Sequence, residues 1–381
     1  MSSRRRPGTD IPLSCFAIIS DANGQLHFSG ATSQGRDART LFMMADSFPS
    51  STQNSVHLDL GVVVIGRNEG ERLKVCLESV RGVAEHIVYV DSGSTDGSVA
   101  MSRSLGVTVV ELDLSVPFTA ARARNEGFHR LLTEQPALKF VFFVDGDCEV
   151  NPGWLDSGRR FLGERPEYAV VCGWRRERFP NKSIYNLLCD IEWRDNPVGE
   201  TDCCGGDALM RANAFQQVKG FCPSLICGEE PELCVRLRQA GWKIWRLDED
   251  MTLHDAAMYR FGQWWRRMIR GGYGFAQGAD LHGAPPERHC VRERSRIWLW
   301  GLWIPCAILI LTPIIRWWAL FFLLIYPLQV VRLWLRGTWS PRENWWRAVA
   351  LVLSKFPEMV GQLKFKVNRF RRVQAQLIEY K

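Results

Sequence analysis

The stretch Val141–Glu149, which reads VFFVDGDCE, decides the fold class. Residues 140 to 144 are all β-branched or aromatic, which is typical of a short strand buried on both faces of a parallel or mixed sheet. Asp145 and Asp147 follow the strand on either side of Gly146, so the backbone can turn sharply there. Both carboxylates can then point beyond the carboxyl end of the strand, which is where ligands of open α/β sheets bind.

Two hard oxygen donors at this spacing favour a divalent cation, Mg2+ or Mn2+, which is usually shared with the phosphates of a nucleotide. The alternative is that Asp145 and Asp147 only end a strand and cap the next helix. Asp is common in turns, and a DxD pattern is a weak signal by itself. The rest of the sequence has to decide between these two interpretations.

The segment that precedes this strand alternates between strands and helices. The patterns predict a strand over 61–66, a helix over Glu71–Val80, and strands over His86–Val90 and Val107–Leu112. This β-α-β alternation with glycine-rich turns predicts a doubly wound nucleotide-binding half, with its site along the carboxyl edge of the strands. In the turn DSGSTDGS, Asp91 could accept hydrogen bonds from a uracil imide or a ribose hydroxyl, whereas Asp96 is expected to cap the next helix.

The stretch TAARARNEGF predicts a helix that is capped by Thr119. Arg122 and Arg124 lie two positions apart, and therefore on roughly opposite sides of this helix, so only one of them can point at the nucleotide. We favour Arg124. The alternative for Arg124 is a surface ion pair with a nearby Glu.

Six motifs together resemble family-2 glycosyltransferases of the GT-A fold, in the same order and at similar spacing. They are VVVIGRNEGERL, VDSGSTDGS, ARARNEG, FVDGDCE, GGDALMRANAF and GEEPELCVRLRQAGW, and they cover about residues 60–277. The resemblance implies an α/β protein with a GT-A type doubly wound mixed sheet, whose first half is Rossmann-like.

The resemblance also implies roles for the matched residues. Asp91 would read the nucleotide base, Arg124 would touch the base or diphosphate, Asp145 and Asp147 would form the DxD motif at the metal and nucleotide, and Asn68 and Glu69 would line the nucleotide pocket. Two positions depart from the family pattern. The usual Pro of the first turn is absent, and Asp207 stands where many members carry Asn.

Three acids begin a predicted helix in the second half of the chain, in the stretch GEEPELCVRLRQAG. Transfer of a sugar with inversion needs one carboxylate to accept the proton of the acceptor hydroxyl. By resemblance to the family's ED motif, Glu230 is that base, and Glu229 is a second candidate catalytic acid. Alternatively, Glu229 or Glu232 serves only the helix dipole.

His254 follows the predicted strand KIWRL, and related enzymes place a metal-binding His just after this strand. We expect its neutral imidazole to complete the carboxylate metal site, although a lone His is more often a core or surface residue. Gln263, Trp264 and Trp265 then begin a stretch that resembles the QxxRW motif of processive membrane synthases. Arg267 replaces the motif's Trp, which argues against processivity.

The helix that carries this motif allows two interpretations. The Trp pair could stack on a sugar acceptor, while Arg266 and Arg270 hold a phosphate. The same residues also suit an amphipathic helix that lies on a bilayer.

Charge is unevenly distributed along the 381 residues. The net charge is +7, but residues 287–381 contain 16 Lys and Arg against 5 Asp and Glu, so the remainder is slightly acidic. This distribution favours an anionic membrane surface over nucleic acid as the partner of the basic tail. The 12 cysteines are scattered without a CxxC pair, which indicates reduced core residues in a cytosolic compartment and disfavours zinc.

Two apolar runs, 297–315 and 317–331, flank Arg316 and predict a membrane hairpin. Arginines lie on both outer flanks, so the positive-inside rule places both flanks in the cytoplasm. Nine of the 16 Trp fall from Trp298 onward, as an interfacial belt requires. The alternative is a shallow helical pair that never crosses the bilayer.

We therefore expect a poorly ordered extension over 1–57, which contains one weak strand pair near Asn23. A GT-A domain is expected over 58–285. A membrane-associated hairpin over 286–336 and a basic interfacial helical tail over 337–381 follow. The expected enzyme is an inverting, metal-dependent, hexosyltransferase-type glycosyltransferase at the cytoplasmic face of a bacterial inner membrane. It would move a sugar from a UDP- or GDP-sugar to a lipid-linked or growing saccharide in exopolysaccharide or envelope assembly. The alternatives are a nucleotidyltransferase and a non-catalytic membrane scaffold that binds a glycan or lipid carrier.

Overall fold

The computed structural model describes residues 57–373 and residue 378. The predicted extension and the strand pair near Asn23 lie outside the described residues, except that His57 begins the first strand. Within the described part, the strands are β1 (His57–Gly66), β2 (Ala84–Asp91), β3 (Thr108–Glu111), β4 (Phe140–Asp145), β5 (Cys148–Val150), β6 (Tyr168–Glu177), β7 (Gly199–Thr201), β8 (Ala208–Arg211) and β9 (Lys243–His254).

The helices of the same part include α1 (Glu71–Val80), α2 (Ser98–Ser104), α3 (Ala120–Glu134), α4 (Trp154–Glu164), α5 (Ile184–Arg194), α6 (Ala212–Gln217), α7 (Glu229–Gln239), α8 (Phe261–His282), α9 (Val291–Trp298), α10 (Ile304–Ile315), α11 (Ile325–Leu335), α12 (Pro341–Leu353) and α13 (Lys355–Arg371). A π-helical turn (Leu299–Trp303) joins α9 to α10, and a 3-10 segment (Arg316–Leu324) joins α10 to α11.

The strands of the described residues form one mixed sheet in the order β3-β2-β1-β4-β8-β6-β9-β5, with β7 paired to β9. The first four strands in this order are parallel, β8 runs antiparallel between β4 and β6, and β9 is parallel to β6. This confirms the expected α/β class and a mixed sheet whose first half is parallel.

Strand β4 lies at the centre of the sheet and is buried on both faces, as its composition predicts. Phe142 contacts Trp154 of α4 on one face, with ring centroids 5.6 Å apart, whereas Phe143 contacts Phe215 and Phe221 on the other, at 5.0 and 5.3 Å. A strand this deeply packed holds the acids that follow it, Asp145 and Asp147, in fixed positions.

The turn after β4 leads at once into β5, which pairs antiparallel with the end of β9. Cys148 is the register partner of His254 in this pairing. The pairing therefore places the last acid of the DGD turn beside the histidine at the end of β9.

The helical stretch Val291–Leu335 is long and apolar enough to cross a membrane, judged by length and composition alone. The chain reverses within it at Arg316, where φ is 52° and ψ is −133°. The reversal brings Tyr326 back to Trp300, and the hydroxyl of Tyr326 donates to the carbonyl of Trp300 at 2.8 Å. Large apolar side chains of this stretch are exposed on the protein surface, among them Trp317 at 77% and Trp318 at 71% exposure.

The two helices after this stretch, α12 and α13, pack on α5 and α8. Arg347 of α12 pairs with Asp195 at 2.6 Å, and Glu343 pairs with Arg194 of α5 at 3.2 Å. Helix α13 crosses α8 so closely that a Cβ on Gly272 would overlap the backbone of Glu358. One face of the basic tail is thus part of the folded body, which the expectation of purely interfacial helices did not include.

Candidate active site

A cavity of about 500 Å3 opens at the carboxyl ends of β1 and β4. It is formed by the turn after β1, the DGD turn, the first turns of α3 and α7, one face of α5 and α8, and the end of β9. The predicted site residues that line it are Asn68, Glu69, Arg124, Asp145, Asp147, Glu229, Glu230 and His254. Acids from separate parts of the chain therefore share one cavity, as the resemblance implied.

Asp147 and His254 form one side of this cavity. The Nε2 atom of His254 lies 3.3 Å from Oδ1 of Asp147, and both side chains are buried. Ligand atoms of Asp147, Cys148 and His254 all lie within 4.8 Å of one another. Burial raises the pKa of the Cys148 thiol well above its ordinary value, and the nearby carboxylate of Asp207 raises it further.

The donor chemistry of this side fits a divalent cation. A carboxylate oxygen and an imidazole nitrogen are ligands that Mn2+ accepts, and Mg2+ commonly takes one or two carboxylates plus phosphate oxygens. Sulfur is a soft ligand, and such hard ions prefer oxygen and nitrogen donors to it. Asp147 and His254 are therefore the two side chains that could hold the ion.

Asp145 also lines the cavity, but its contact partners are different. One of its oxygens lies 2.9 Å from Nη2 of Arg124, and the other lies 3.2 Å from Nη2 of Arg175. Burial works against the ionised carboxylate, but the two guanidinium groups outweigh it and hold the pKa of Asp145 below its ordinary value. The sequence assigned Asp145 and Asp147 to one cation, whereas the structure pairs Asp145 with arginines.

Arg124 is the centre of this second group of residues. Besides Asp145, its Nη1 contacts Glu229 at 2.8 Å and Glu230 at 2.9 Å. Burial opposes its charge, yet these acids hold the pKa of Arg124 above its ordinary value. Arg122 points the other way and donates to the carbonyls of residues 113 and 116, as the helical spacing requires.

Glu229 and Glu230 begin α7, where Gly228 adopts a left-handed conformation with φ 79°. Burial and, after it, repulsion from Glu229 raise the pKa of Glu230 to about 7, against the opposing attraction of Arg124. A carboxylate with this pKa can both hold and release a proton near neutral pH, which is what a general base requires.

Glu232 takes the structural role that the sequence left open for this group of acids. It does not line the cavity, and its carboxylate pairs with Arg236 at 2.6 Å and with His282 at 2.9 Å.

The remaining nucleotide candidates differ in position. Asn68 lines the cavity and holds the neighbouring turn, because its Oδ1 accepts from the backbone N–H of Thr95 at 2.7 Å. Glu69 also lines the cavity and pairs with Arg72 at 2.6 Å.

Asp91 does not line the cavity. It is 2% exposed, and its oxygens accept from the Tyr89 hydroxyl at 2.7 Å and from the backbone N–H groups of Gly93 and Ser94 at 2.8 Å. Its contacts shape the loop that follows β2.

Sequence reasoning missed Arg175 of β6, which lines the cavity. Its Nε donates to Asp207 at 2.9 Å, and Asp207 is fully buried and also accepts from Thr252 at 2.6 Å. A signal for Arg175 was present, since β6 starts as the apolar run YAVVC and ends in the charged run WRRE. Charged residues at the end of a buried strand indicate a polar edge of the sheet.

The interpretation of the QWWRR stretch needs correction. Trp264 is 4% exposed and packs in a cluster with Tyr185 and Met268, so it cannot stack on a sugar. Arg266 is exposed and donates to the carbonyl of Gly262, one turn earlier on the same helix.

The basic residues of α8 that line the cavity are Arg267 and Arg270. Arg267 makes two hydrogen bonds of 2.8 Å to Glu192 of α5. The face of α8 that carries Trp264 is covered by α5 and α12, so this face does not lie on a bilayer as the alternative interpretation required.

Sequence comparison finds that the model of glycosyl transferase family 2 matches residues 61–219. The pre-mycofactocin glycosyltransferase of Mycobacterium tuberculosis is 26% identical over 236 residues, which are 57% of this chain and 47% of that protein. Glycosyltransferase AglE of Haloferax volcanii is 22% identical over 230 residues, covering 57% of this chain and 73% of its own length. The chain thus spans about half the length of the mycobacterial relative.

Structural comparison finds a mannosyltransferase from Pyrobaculum calidifontis with a TM-score of 0.55 and 17% sequence identity. The superposition covers 84% of this chain and 91% of that one. At this identity the likeness establishes the fold, which is of the GT-A type.

Proposed function

We propose that the chain is a family-2 glycosyltransferase, since the model of that family matches residues 61–219, and that it performs an inverting transfer of a sugar from a nucleoside-diphosphate donor to a saccharide acceptor. One observation carries the proposal. The Asp147–His254 pair and the Glu229–Glu230 pair line the same cavity, with Arg124 between the acids of α7 and the DGD turn. Such a cavity offers a cation site, a diphosphate partner and a base in one place.

The donor is proposed to lie against the turns after β1 and β4. Asn68 and Glu69 border the nucleotide, and Arg124 and Arg175 face its diphosphate. Asp147 and His254 would hold Mg2+ or Mn2+, and such an ion neutralises the charge that develops on a departing diphosphate. The Pyrobaculum calidifontis mannosyltransferase, which shares the fold, is in complex with GDP-Man and Mn2+.

Glu230 is proposed as the general base. Its carboxylate accepts the proton of the acceptor hydroxyl as that oxygen bonds to the anomeric carbon, and the nucleoside diphosphate leaves from the opposite face of the sugar. Arg124 contacts both Glu230 and Asp145, so an incoming diphosphate would share the same guanidinium. Weaker contact with Arg124 would make Glu230 more basic when the donor is in place.

We propose that the enzyme works on a lipid-linked or growing saccharide at the cytoplasmic face of a bacterial inner membrane, in exopolysaccharide or envelope assembly. The exposed aromatic and aliphatic side chains around Arg316 support a bilayer location for this part of the chain. Confinement beside a membrane-bound acceptor would raise its local concentration.

The test is a calorimetric screen of UDP- and GDP-sugars against the full-length protein in detergent with Mn2+. We expect one donor to bind in a Mn2+-dependent manner, and we expect Asp147→Asn to bind it far more weakly. Equal binding of every donor by the wild type and Asp147→Asn would contradict the site assignment.

Product analysis separates the proposal from its rivals. Free nucleoside diphosphate is the product expected of a glycosyltransferase. Pyrophosphate would indicate a nucleotidyltransferase, and intact donor after prolonged incubation with saccharide acceptors would indicate a scaffold.

A further inference from the structure

Glu177, the last residue of β6, is a buried acid that does not line the cavity. Its side chain is 0% exposed. Oε1 accepts from the backbone N–H of Phe179 at 3.1 Å and from Nδ2 of Asn186 at 2.9 Å, and Oε2 accepts from the backbone N–H of Ala256 at 3.0 Å. These contacts fix the direction of both oxygens.

One of the two oxygens faces the histidine of the proposed metal site. Oε2 of Glu177 lies 3.8 Å from Nδ1 of His254, on the opposite edge of the ring from the 3.3 Å contact between Nε2 and Asp147. Glu177 and His254 are also register partners in the pairing of β6 with β9. The ring of Trp193 packs edge-on against the imidazole, with centroids 4.7 Å apart.

This arrangement places the imidazole between two carboxylates of different kinds. Asp147 lines the cavity, whereas Glu177 is buried and does not line it. A neutral imidazole carries a proton on one nitrogen only, and the hydrogen bond made by that nitrogen decides which one is left to bind a metal. A carboxylate behind a histidine ligand commonly sets both the tautomer and the ring orientation.

We propose that Glu177 is a positioning residue that accepts a hydrogen bond from Nδ1–H of His254 and so directs the Nε2 lone pair at a divalent cation beside Asp147. The inference rests on the metal site of the proposed function. A ring shift of about 1 Å converts the 3.8 Å separation into a hydrogen bond of ordinary length. Glu177 acts through His254 and touches neither substrate nor ion.

The first test measures Mn2+ binding to the full-length protein by electron paramagnetic resonance, with titration into the millimolar range. Glu177→Gln is expected to weaken Mn2+ binding about 10- to 100-fold. Glu149→Gln is the matched control, because it removes a negative charge from β5 next to the same strand β9, and its partner is Arg178. This control is expected to bind Mn2+ within about twofold of the wild type.

A double-mutant cycle separates positioning from a general structural role. In a His254→Ala background, adding Glu177→Gln is expected to change Mn2+ affinity by less than about twofold, because the residue through which Glu177 acts is gone. An equal loss in both backgrounds would overturn the inference, as would wild-type affinity in Glu177→Gln. If the wild type itself bound no Mn2+, the metal site of the proposed function would fail instead.

A second measurement needs no substitution of Glu177, whose loss could unfold the strand end. Ring-15N-histidine NMR of the Mg2+-saturated protein, with the His254 signal assigned from its disappearance in His254→Ala, reports the proton position. The inference expects the proton on Nδ1. A proton on Nε2 would overturn it.

Discussion

Asp147 faces His254, whereas Asp145 faces Arg124 and Arg175, although only Gly146 separates the two acids. We call the first group the cation side of the cavity and the second, together with Glu229 and Glu230, the arginine side. Residue spacing treats the two acids as equivalent. Their partners come from β9, α3 and β6. Asp147 lies beside an imidazole that could share an ion with it, whereas Asp145 pairs with two guanidinium groups.

The largest expected effect is a loss of transfer rate without a loss of Mn2+ binding, when the proposed base on the arginine side is replaced. Glu230→Gln should lower the transfer rate by about 10^2- to 10^4-fold, because the amide cannot accept the hydroxyl proton. Mn2+ affinity should remain near that of the wild type. The measurements are product formation at saturating donor and Mn2+ titration by electron paramagnetic resonance.

Glu232→Gln is the matched control for this substitution, since it lies on the same turn of α7 but pairs with Arg236 and His282 outside the cavity. The control should turn over at a rate within a few-fold of the wild type. Near-normal transfer by Glu230→Gln would assign the base to another group.

The next prediction tests the two acids of the DGD turn directly. Asp147→Asn should weaken Mn2+ binding more than about 100-fold, beyond the effect expected for a residue that only supports a ligand. Asp145→Asn should weaken it less than about tenfold, because its oxygens are engaged by Arg124 and Arg175. Equal losses in the two variants would return both acids to one cation, as the sequence first suggested.

The smallest expected effect concerns the repulsion between Glu229 and Glu230. Glu230 must be ionised to act, and its pKa is raised to about 7, so kcat/KM should rise with pH up to about 7 and level off above it. Glu229→Gln removes the neighbouring negative charge and should move this rise to lower pH. Relative activity at pH 6 should therefore increase by less than about tenfold, the factor that corresponds to one pKa unit.

A pH profile of kcat/KM in the two proteins checks this prediction. An unchanged or higher midpoint in Glu229→Gln would show that burial and Arg124, without Glu229, set the behaviour of Glu230.

Local pattern was sufficient for the first half of the fold. Helix α1 spans Glu71–Val80 as predicted, and Thr119 caps α3, with its Oγ1 accepting from the backbone N–H of Arg122 at 3.1 Å. The strand before the DGD turn is buried on both faces as its composition indicates. These features depend on periodicity and capping within a few residues, which a single sequence contains.

Long-range pairing was beyond the reach of local pattern. Glu177 meets His254 because β6 pairs with β9, and Trp264 is buried because α5 and α12 cover this face of α8. The three contacts that occupy Asp91 depend on the conformation of its loop, which residue types alone do not specify. The family resemblance identified the acids of the cavity, but it did not predict that Asp145 and Asp147 have different partners.

The ion pairs that join α12 to α5 make the basic tail a poor candidate for exchange. Trp193 and Cys189 of α5 line the cavity, and the same helix is held by Arg347 and Glu343 through its carboxyl end. If an unrelated apolar segment replaced residues 286–381, α5 would lose its ion pairs to Arg347 and Glu343, and the side of the cavity that α5 forms would lose their support. A shortened version of this protein should therefore keep α12 and α13 and remove only the apolar segment around Arg316.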